Sequence, residues 1–159
     1  MLHVILFEPE IPPNTGNIIR LCANTGSALH LIEPLGFDLD DAKLRRAGLD
    51  YHEFADVQRH KRLDDCLKLF APERVFAFSA RASRRFDEVR YRDGDAFLFG
   101  PETRGLPAEL MDRLAPEQRL TLPMRPGQRS LNLSNAVAVA VFEAWRQLNF
   151  CGATNVPRP

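Results

Sequence analysis

The stretch RLTLPMRPGQRSLNLSNAVAVAVFEAWRQL, residues 119–148, contains three segments of different character. Its first six residues, RLTLPM, alternate polar with apolar side chains before a proline, which is typical of a short β-strand. Proline, glycine and arginine follow in residues 125–130 and predict a loop. From about residue 131 to 148, alanine, valine, phenylalanine and tryptophan lie densely together and predict one closing helix. A strand that leads through a loop into an apolar helix is the repeating unit of an α/β fold.

The same alternation of strand and helix runs through the rest of the chain. Short runs rich in β-branched or aromatic residues predict strands, and stretches with helical periodicity or glycine stops predict helices. The predicted strands span residues 3–8, 29–34, 51–54, 74–80 and 96–102, and the predicted helices span residues 14–26, 40–48, 62–71 and 107–114. This order predicts a parallel sheet that is covered by helices on both faces.

Length and composition indicate one domain. A chain of 159 residues with 45% hydrophobic side chains can bury one sizeable core. We predict a single domain over residues 1–150 and a flexible tail over residues 151–159. The formal net charge is zero, so no overall basic charge points to nucleic acid. Arginine outnumbers lysine 18 to 3, and its guanidinium suits phosphate, although the codon bias of a GC-rich genome gives the same excess.

Cysteine, histidine and hydropathy patterns argue against several classes of protein. Cys22, Cys66 and Cys151 form no CxxC pair, and the odd number favours free thiols in a reducing cytoplasm. The four histidines do not occur at metal-ligand spacing, so we predict no metal. Apolar runs fall well short of the ~20 residues that span a bilayer, and residues 1–10 lack the basic region of a signal peptide. These patterns predict a cytoplasmic protein without a membrane partner.

The start of the closing helix is more polar than helix capping requires. Ser130, Asn132, Ser134 and Asn135 crowd this start, whereas one N-cap needs one such residue. We therefore expect part of this group to contact a ligand, and Ser134 or Asn135 to cap the helix.

The loops that follow strands are the candidate sites, because ligands bind outside the carboxyl ends of the strands in an open parallel sheet. Three loops qualify: residues 81–85, 100–107 and 125–135. In the middle loop, GPETRGLP, Gly100 and Gly105 can adopt backbone angles closed to other residues, and the prolines fix theirs. Such a rigid loop suits close contact with a small molecule, but a plain tight turn has the same composition.

Charged residues and an unusual first loop add to these candidates. Glu102 and Arg104 of the middle loop form either a local salt bridge or a substrate contact. The nucleotide motifs GxxxxGK[ST] and GxGxxG are absent from the sequence. Instead, EPEIPPNTGN (8–17) makes a rigid elbow whose free amides could hold a phosphate. Arg20 lies close enough to this elbow in sequence to share its ligand.

Four segments of the chain together carry a family pattern. They are EPEIPPNTGNIIRLCANTG (8–26), RRAGLDYHEF (45–54), FGPETRGLP (99–107) and RSLNLSNAVAVAVFEAWRQL (129–148). In this order they resemble the TrmL (YibK) group of the SPOUT class of RNA methyltransferases, over about residues 3–150. The resemblance implies an α/β fold with a deep trefoil knot in the carboxyl-terminal half. It also implies that the three loops bind S-adenosylmethionine and that the protein is a homodimer joined through the knot region.

The activity that this resemblance implies is 2′-O-methylation of the ribose of wobble nucleotide 34, C or U, in tRNA. The implied substrates are the two tRNA-Leu isoacceptors with CAA and UAA anticodons, and the implied methyl donor is S-adenosylmethionine, without a metal. The residues implied to bind the cofactor are Phe78, Gly100, Leu122, Ser130 and Leu131. The residues implied in catalysis are Arg20, Asn132, Asn14 and Glu102.

Arg20 takes the position of the general base in the mechanism that the family suggests. A guanidinium stays protonated at ordinary pH, so we expect a different role. Arg20 would bind an RNA phosphate and stabilise the developing alkoxide, while the proton leaves to solvent or phosphate. Asn14 and Asn132 would orient the reacting groups.

Two other functions are compatible with the sequence. The first is 2′-O-methylation of another tRNA position or of rRNA, and the second is non-catalytic binding of RNA or a metabolite in the same pocket. Any RNA substrate needs local positive charge on the protein. The candidate clusters are Arg45/Arg46, Arg59/Lys61/Arg62 and Arg81/Arg84/Arg85. A solvated surface balanced by nearby acidic residues is the plainer interpretation of such clusters.

Overall fold

A parallel β-sheet forms the centre of the computed structural model, which describes residues 1–46, 48–50, 53 and 56–154. The strands are β1 His3–Phe7, β2 Ala28–Ile32, β3 Val57–His60, β4 Val75–Phe78, β5 Arg84–Arg85, β6 Ala96–Phe99 and β7 Arg119–Thr121. In this part of the chain the sheet has seven strands in the order β3-β2-β1-β6-β4-β7-β5. Every described pair of neighbouring strands is parallel.

Helices accompany the strands along the described chain. They are α1 Pro12–Thr25, α2 Asp41–Arg46, α3 Leu63–Leu67, α4 Ala108–Asp112 and α5 Leu133–Gln147. Two prolines open α1, because their fixed φ suits the first turn of a helix. Helices α1 and α5 pack against each other. Among the described residues, no helix combines the length and the apolar character that crossing a membrane requires.

The two faces of the sheet carry separate hydrophobic cores, because successive side chains of a strand point to opposite faces. In β1, Val4 and Leu6 belong to the core beneath α1 and α5, whereas Ile5 belongs to the core beneath α3 and α4. All three side chains are at most 1% exposed. Strands that are buried on both faces have continuous apolar sequences, as β1 shows.

The predicted parallel sheet with helices on both faces is confirmed, while several boundaries differ. Helix α1 begins at Pro12 rather than at residue 14, and α5 begins at Leu133 rather than at about residue 131. Strands β3 and β5 have no counterpart among the predicted strands. Both are short and partly polar, so they depend on pairing with β2 and β7 rather than on their own pattern.

Four sequence-based expectations remain predictions. The strand expected at residues 51–54 lies outside the described residues except for Glu53. The single domain over residues 1–150 and the flexible tail over residues 151–159 also stay predictions, since residues 155–159 lie outside the described chain. The trefoil knot is likewise an expectation that rests on the family pattern.

Candidate active site

A pocket opens at the carboxyl ends of β4, β6 and β7. Phe78 and Phe99 end β4 and β6 in register with each other, and Phe78 is also paired with Leu120 of β7. The loops that leave these strands therefore meet at one edge of the sheet and border a cavity of about 460 Å³. This volume lies in the range of small-molecule sites. Its wall includes every residue predicted to bind a cofactor: Phe78, Gly100, Leu122, Ser130 and Leu131.

The loop after β6 folds back tightly on itself at Gly100. A Cβ atom at Gly100 would lie 2.9 Å from Gly105 Cα and closer still to Leu106 N, so another residue there would displace the backbone. Gly105 has a φ of 68°, a left-handed conformation that glycine adopts without strain. The predicted special backbone angle is thus confirmed at Gly105, whereas Gly100 is needed for space.

Glu102 joins this loop to the start of α1. Its carboxylate accepts hydrogen bonds from the backbone N–H groups of Glu10 (2.8 Å) and Ile11 (3.1 Å) and from Asn14 Nδ2 (3.3 Å). Ile11 precedes the helix and offers no capping side chain. The negative charge of Glu102 therefore lies where the helix dipole favours an anion. The two elbow amides that could hold a phosphate are occupied from within the chain.

Glu102 and Arg104 both contact the elbow, and they do not pair with each other. Arg104 Nη2 lies 2.5 Å from Glu8 Oε2, and Thr103 Oγ1 between them donates to Glu10 at 2.8 Å. Of the two interpretations left open for this pair, the structure does not show a salt bridge between Glu102 and Arg104, and a substrate contact stays a prediction. Three successive side chains instead fasten the loop after β6 to the elbow before α1.

Asn14 connects Glu102 to the start of α5. Asn14 Oδ1 accepts a hydrogen bond from Asn132 Nδ2 at 2.9 Å, while Asn14 Nδ2 donates to Glu102. An ionised carboxylate can only accept hydrogen bonds, so Glu102 fixes the direction of the Asn14 amide. Three of the four residues implied in catalysis thus form one hydrogen-bonded chain, and all three line the pocket.

Asn132 is also the N-cap of α5. Its Oδ1 accepts hydrogen bonds from Ser134 N at 2.9 Å and from Ser134 Oγ at 2.7 Å. The prediction that Ser134 or Asn135 caps the helix is therefore wrong, because the first helical residue is Leu133. The capping bonds orient the Asn132 amide and leave its Nδ2 directed toward Asn14. Asn132 thus serves both as the helix cap and as a residue of the candidate site.

Arg20 lies away from this hydrogen-bonded chain. Its Nε donates to Glu53 Oε1 at 3.0 Å, and its Nη2 contacts the Gly48 carbonyl oxygen. Arg20 lines a separate cavity of about 380 Å³ beside α1. It follows Asn14 by six positions, which places it about 240° further around the helix axis. Contrary to the prediction, one chain alone does not bring Arg20 beside the other residues implied in catalysis.

Several arginines near the pocket have no ionic partner among the described residues. Arg81 lines the pocket, and Arg125 and Arg129 lie in the exposed loop after β7. Two of the predicted basic clusters are partly neutralised by ion pairs, Arg59 with Glu33 and Arg85 with Asp87. The uncompensated positive charge therefore includes the surface around the pocket, although the whole chain is neutral.

A second cluster of reactive side chains lies on the other face of the sheet. His3 Nδ1 lies 3.1 Å from His30 Nε2, and His30 Nδ1 lies 3.0 Å from His60 Nε2. Burial, and then the neighbouring imidazoles, lower the pKa of His30 to about 4. Burial also raises the pKa of the nearby Cys66 thiol to about 12. Spacing along the sequence gives no sign of this cluster, because its members come from three strands and one helix.

Comparison with known proteins identifies the family. The pocket at the carboxyl ends of parallel strands defines the class as an α/β protein with a small-molecule site at the sheet edge. Residues 1–142 match the model of the SpoU rRNA Methylase family. The chain belongs to this family.

The similarity to known proteins extends over nearly the whole chain. The tRNA (cytidine(34)-2'-O)-methyltransferase of Burkholderia pseudomallei (strain 1106a) is 65% identical over 154 residues, which are 96% of this chain and 99% of that protein. A structure solved to study the 2-OH methylation of C/U34 on tRNA has a TM-score of 0.85 and 50% identity, covering 94% of this chain and 97% of that chain. The AdoMet-bound rRNA methyltransferase from Sinorhizobium meliloti has a TM-score of 0.78 and 27% identity, covering 92% of this chain and 56% of that chain.

Proposed function

We propose that this protein transfers the methyl group of S-adenosylmethionine to the ribose 2′-oxygen of nucleotide 34, C or U, in tRNA. The observation that carries the proposal is the Glu102–Asn14–Asn132 chain beside a pocket of small-molecule size. The activity named for the 65% identical relative supports the same reaction. The finer proposal, drawn from the family pattern, is that the substrates are the tRNA-Leu isoacceptors with CAA and UAA anticodons, methylated in the cytoplasm.

The pocket residues fit S-adenosylmethionine. Gly100 leaves the backbone bare at a point where a Cβ would collide with the same loop. Main-chain groups at Phe78, Gly100, Leu122 and Leu131 would hold the adenine and ribose, and Ser130 would close the pocket. When bound, the cofactor supplies an electrophilic methyl group on a positively charged sulfur.

The residues of this chain orient the substrate ribose. Asn132 Nδ2 carries a second N–H besides the one it donates to Asn14, and the Ser130 hydroxyl has no partner within the described chain. Both side chains lie on the pocket wall, where they can hold ribose oxygens. Displacement at a methyl group needs the attacking oxygen to lie in line with the leaving group. Fixed hydrogen-bond donors therefore contribute to the rate through positioning.

Arg20 acts on the RNA backbone in this proposal. Its guanidinium stays protonated, so it serves as a cation that binds phosphate and stabilises the developing alkoxide. In the isolated chain the same guanidinium contacts Glu53 and Gly48, and RNA phosphate would replace these partners. Because Arg20 lines a different cavity and not the pocket of its own chain, a second chain is needed to complete the site.

A homodimer joined through α5 supplies that second chain. Val139 and Phe142 of α5 are 43% and 46% exposed, and Leu131 beside the pocket is 45% exposed. Phe142 also packs edge-on against Trp145, with ring centroids 5.6 Å apart. Exposed apolar groups of this size on a core helix are typical of an interface between chains. We propose that this face of α5 pairs with a second copy.

The experiment that tests the proposed function is methyl transfer to a tRNA-Leu transcript with one altered sugar. The parent transcript carries cytidine at position 34, and the control transcript carries 2′-deoxycytidine at that position alone. We expect radiolabelled methyl from S-adenosylmethionine to enter the parent transcript and not the control. Equal labelling of both transcripts would show that the 2′-oxygen of nucleotide 34 is not the acceptor.

A further inference from the structure

Four side chains outside the methyl-transfer pocket meet beneath α3. His3, His30 and His60 come from the adjacent strands β1, β2 and β3, and Cys66 comes from α3. His30 is 1% exposed, and Cys66 is 0% exposed. The proposed methyl transfer uses none of these groups. Burying imidazoles costs free energy unless their polar atoms find partners, and here both ring nitrogens of His30 find them in the neighbouring histidines.

The distances between potential ligand atoms suit a bound cation. His30 Nδ1 and His60 Nε2 lie 3.0 Å apart, and one ligand nitrogen of each ring and Cys66 Sγ all lie within 4.8 Å of one another. Zinc binds imidazole nitrogen at about 2.0–2.1 Å, so a tetrahedral site places two such nitrogens about 3.3 Å apart. The two rings therefore already lie near the separation that zinc requires.

We propose that His30, His60 and Cys66 bind one Zn²⁺ ion between β2, β3 and α3. Two imidazole nitrogens and one thiolate are ligands of a borderline-soft cation and not of Mg²⁺ or Ca²⁺, which prefer oxygen. A water molecule completes a tetrahedral site from the side of the half-buried His60. In this proposal the ion stabilises the fold and takes no part in methyl transfer.

His3 and Phe70 hold the ligand ring of His30 in place. His30 Nε2 can donate its hydrogen to His3 Nδ1 at 3.1 Å, which leaves His30 Nδ1 with a lone pair for the metal. A ligand imidazole that donates its other N–H in this way is fixed in tautomer and orientation. Phe70 packs edge-on against both rings, with centroid distances of 4.9 Å to His3 and 5.4 Å to His30.

Metal binding replaces one hydrogen bond and releases one proton. Without metal, the hydrogen between His30 Nδ1 and His60 Nε2 belongs to one of the two neutral rings. With metal, His30 carries its hydrogen on Nε2 and His60 carries its hydrogen on Nδ1, so both rings stay neutral. Cys66 binds as a thiolate, and its proton passes to solvent as the zinc–sulfur bond forms.

The expected consequence is a fold stabilised by zinc. The ion would tie α3 to β2 and β3 and close the chain between residues 30 and 66. A metal that binds the folded chain more tightly than the unfolded chain raises the Tm by mass action. This readout does not depend on enzymatic activity, so it separates the zinc proposal from the proposed methyl transfer.

The test uses a Cys151→Ser parent, because the exposed Cys151 thiol would bind metals on its own. Metal-free full-length protein is titrated with Co²⁺, whose absorption reports thiolate coordination and tetrahedral geometry, and then with Zn²⁺ in competition. We expect one Co²⁺ per chain with a thiolate-to-cobalt band, displacement by Zn²⁺, and a higher Tm in Zn²⁺. Cys66→Ala removes the band, and His60→Gln removes stoichiometric binding. His3→Gln keeps all three ligands and weakens Zn²⁺ affinity about 10–100-fold.

The control is Cys22→Ala, which removes a buried thiol on the opposite face of the sheet and should keep the cobalt band. A parent that binds no Co²⁺ at one equivalent overturns the proposal. So does a thiolate band that survives in Cys66→Ala. If Cys66→Ala does not fold, His60→Gln decides the question, because unchanged binding in that variant equally overturns the site.

Discussion

The side-chain amide of Asn14 uses both its nitrogen and its oxygen in hydrogen bonds. These bonds join three segments that are far apart in sequence. The sequence motifs predict that Asn14, Glu102 and Asn132 share one site, and the structure brings these three together. The motifs do not predict that Glu102 occupies the amides of Glu10 and Ile11, since this depends on how two loops about 90 positions apart in sequence meet. Nor do they predict that Asn132 is the helix cap. At the residue scale, the sequence therefore predicts which residues form the site better than it predicts the hydrogen bonds between them.

The Asn132→Ser variant tests the contact with Asn14 separately from the capping role of residue 132. Serine also caps helices, so we expect the Tm to stay close to that of the parent. The hydrogen bond to Asn14 is lost, and we expect single-turnover methyl transfer to slow by about tenfold or more. Asn132→Ala is the matched comparison, because it also loses the cap at about 1 kcal/mol, or about 2–4 °C in Tm. Full activity in Asn132→Ser would exclude a catalytic role for the Asn132 amide.

Arg20→Lys keeps the positive charge but removes the planar fork. A lysine cannot bind phosphate through two parallel N–H bonds, so we expect methyl transfer to fall about tenfold or more while cofactor affinity is unchanged. Activity and calorimetric cofactor binding are measured side by side, with the exposed Arg113→Lys as control, since Arg113 belongs to none of the candidate RNA-binding clusters. An Arg20→Lys enzyme with nearly full activity would contradict the proposed phosphate contact.

At the scale of helices and strands, local pattern explains the buried elements and fails at the sheet edges. The continuous apolar run of β1 predicts its position between two covered faces, and the apolar face of the closing helix predicts α5. Strand β3 is mostly polar and lacks a clear pattern of apolar residues. It is therefore stabilised as a strand by its pairing with β2. The histidine cluster could not be predicted from local pattern either, because only the register of β1, β2 and β3 brings His3, His30 and His60 together.

Gly100→Ala tests whether the tight loop after β6 builds the cofactor pocket. The added Cβ would meet backbone atoms of Gly105 and Leu106, which cannot yield as a side chain can. Overpacking of this kind costs about 1–3 kcal/mol, so we expect cofactor binding to weaken about 10–100-fold. Isothermal calorimetry with S-adenosylmethionine measures this affinity.

The matched control is Gly16→Ala, because a Cβ at Gly16 meets nothing within 4 Å. Alanine inside α1 should raise stability by as much as about 1 kcal/mol and leave cofactor binding unchanged. A Gly100→Ala protein with parental cofactor affinity would show that the loop does not depend on the missing side chain.

For the whole molecule, zero net charge and an RNA substrate are compatible because the charge is unevenly distributed. Arg81, Arg125 and Arg129 near the pocket lack ionic partners within the described chain, and Arg20 lies beside a neighbouring cavity. A symmetric dimer would double these groups. Binding that rests on such contacts weakens steeply with salt.

Phe142→Glu tests the proposed dimer. A carboxylate in an apolar interface is costly to bury, so we expect sedimentation velocity to show a monomer and methyl transfer to fall with the loss of the partner chain. Leu69→Glu is the control, since Leu69 is 58% exposed just beyond the carboxyl end of α3. We expect the Leu69→Glu protein to remain a dimer. Parental sedimentation of Phe142→Glu would move the interface away from this face of α5.

The measurement that tests the central proposal most directly is a methylation map of total tRNA. The purified protein and S-adenosylmethionine are added to tRNA from a strain that lacks the corresponding activity, and nuclease fragments are analysed by mass spectrometry. We predict 2′-O-methylcytidine and 2′-O-methyluridine at position 34 of the leucine tRNAs with CAA and UAA anticodons. Methyl groups at other positions would contradict the proposed substrate, and no methyl transfer by a protein that binds the cofactor would contradict the proposed enzyme.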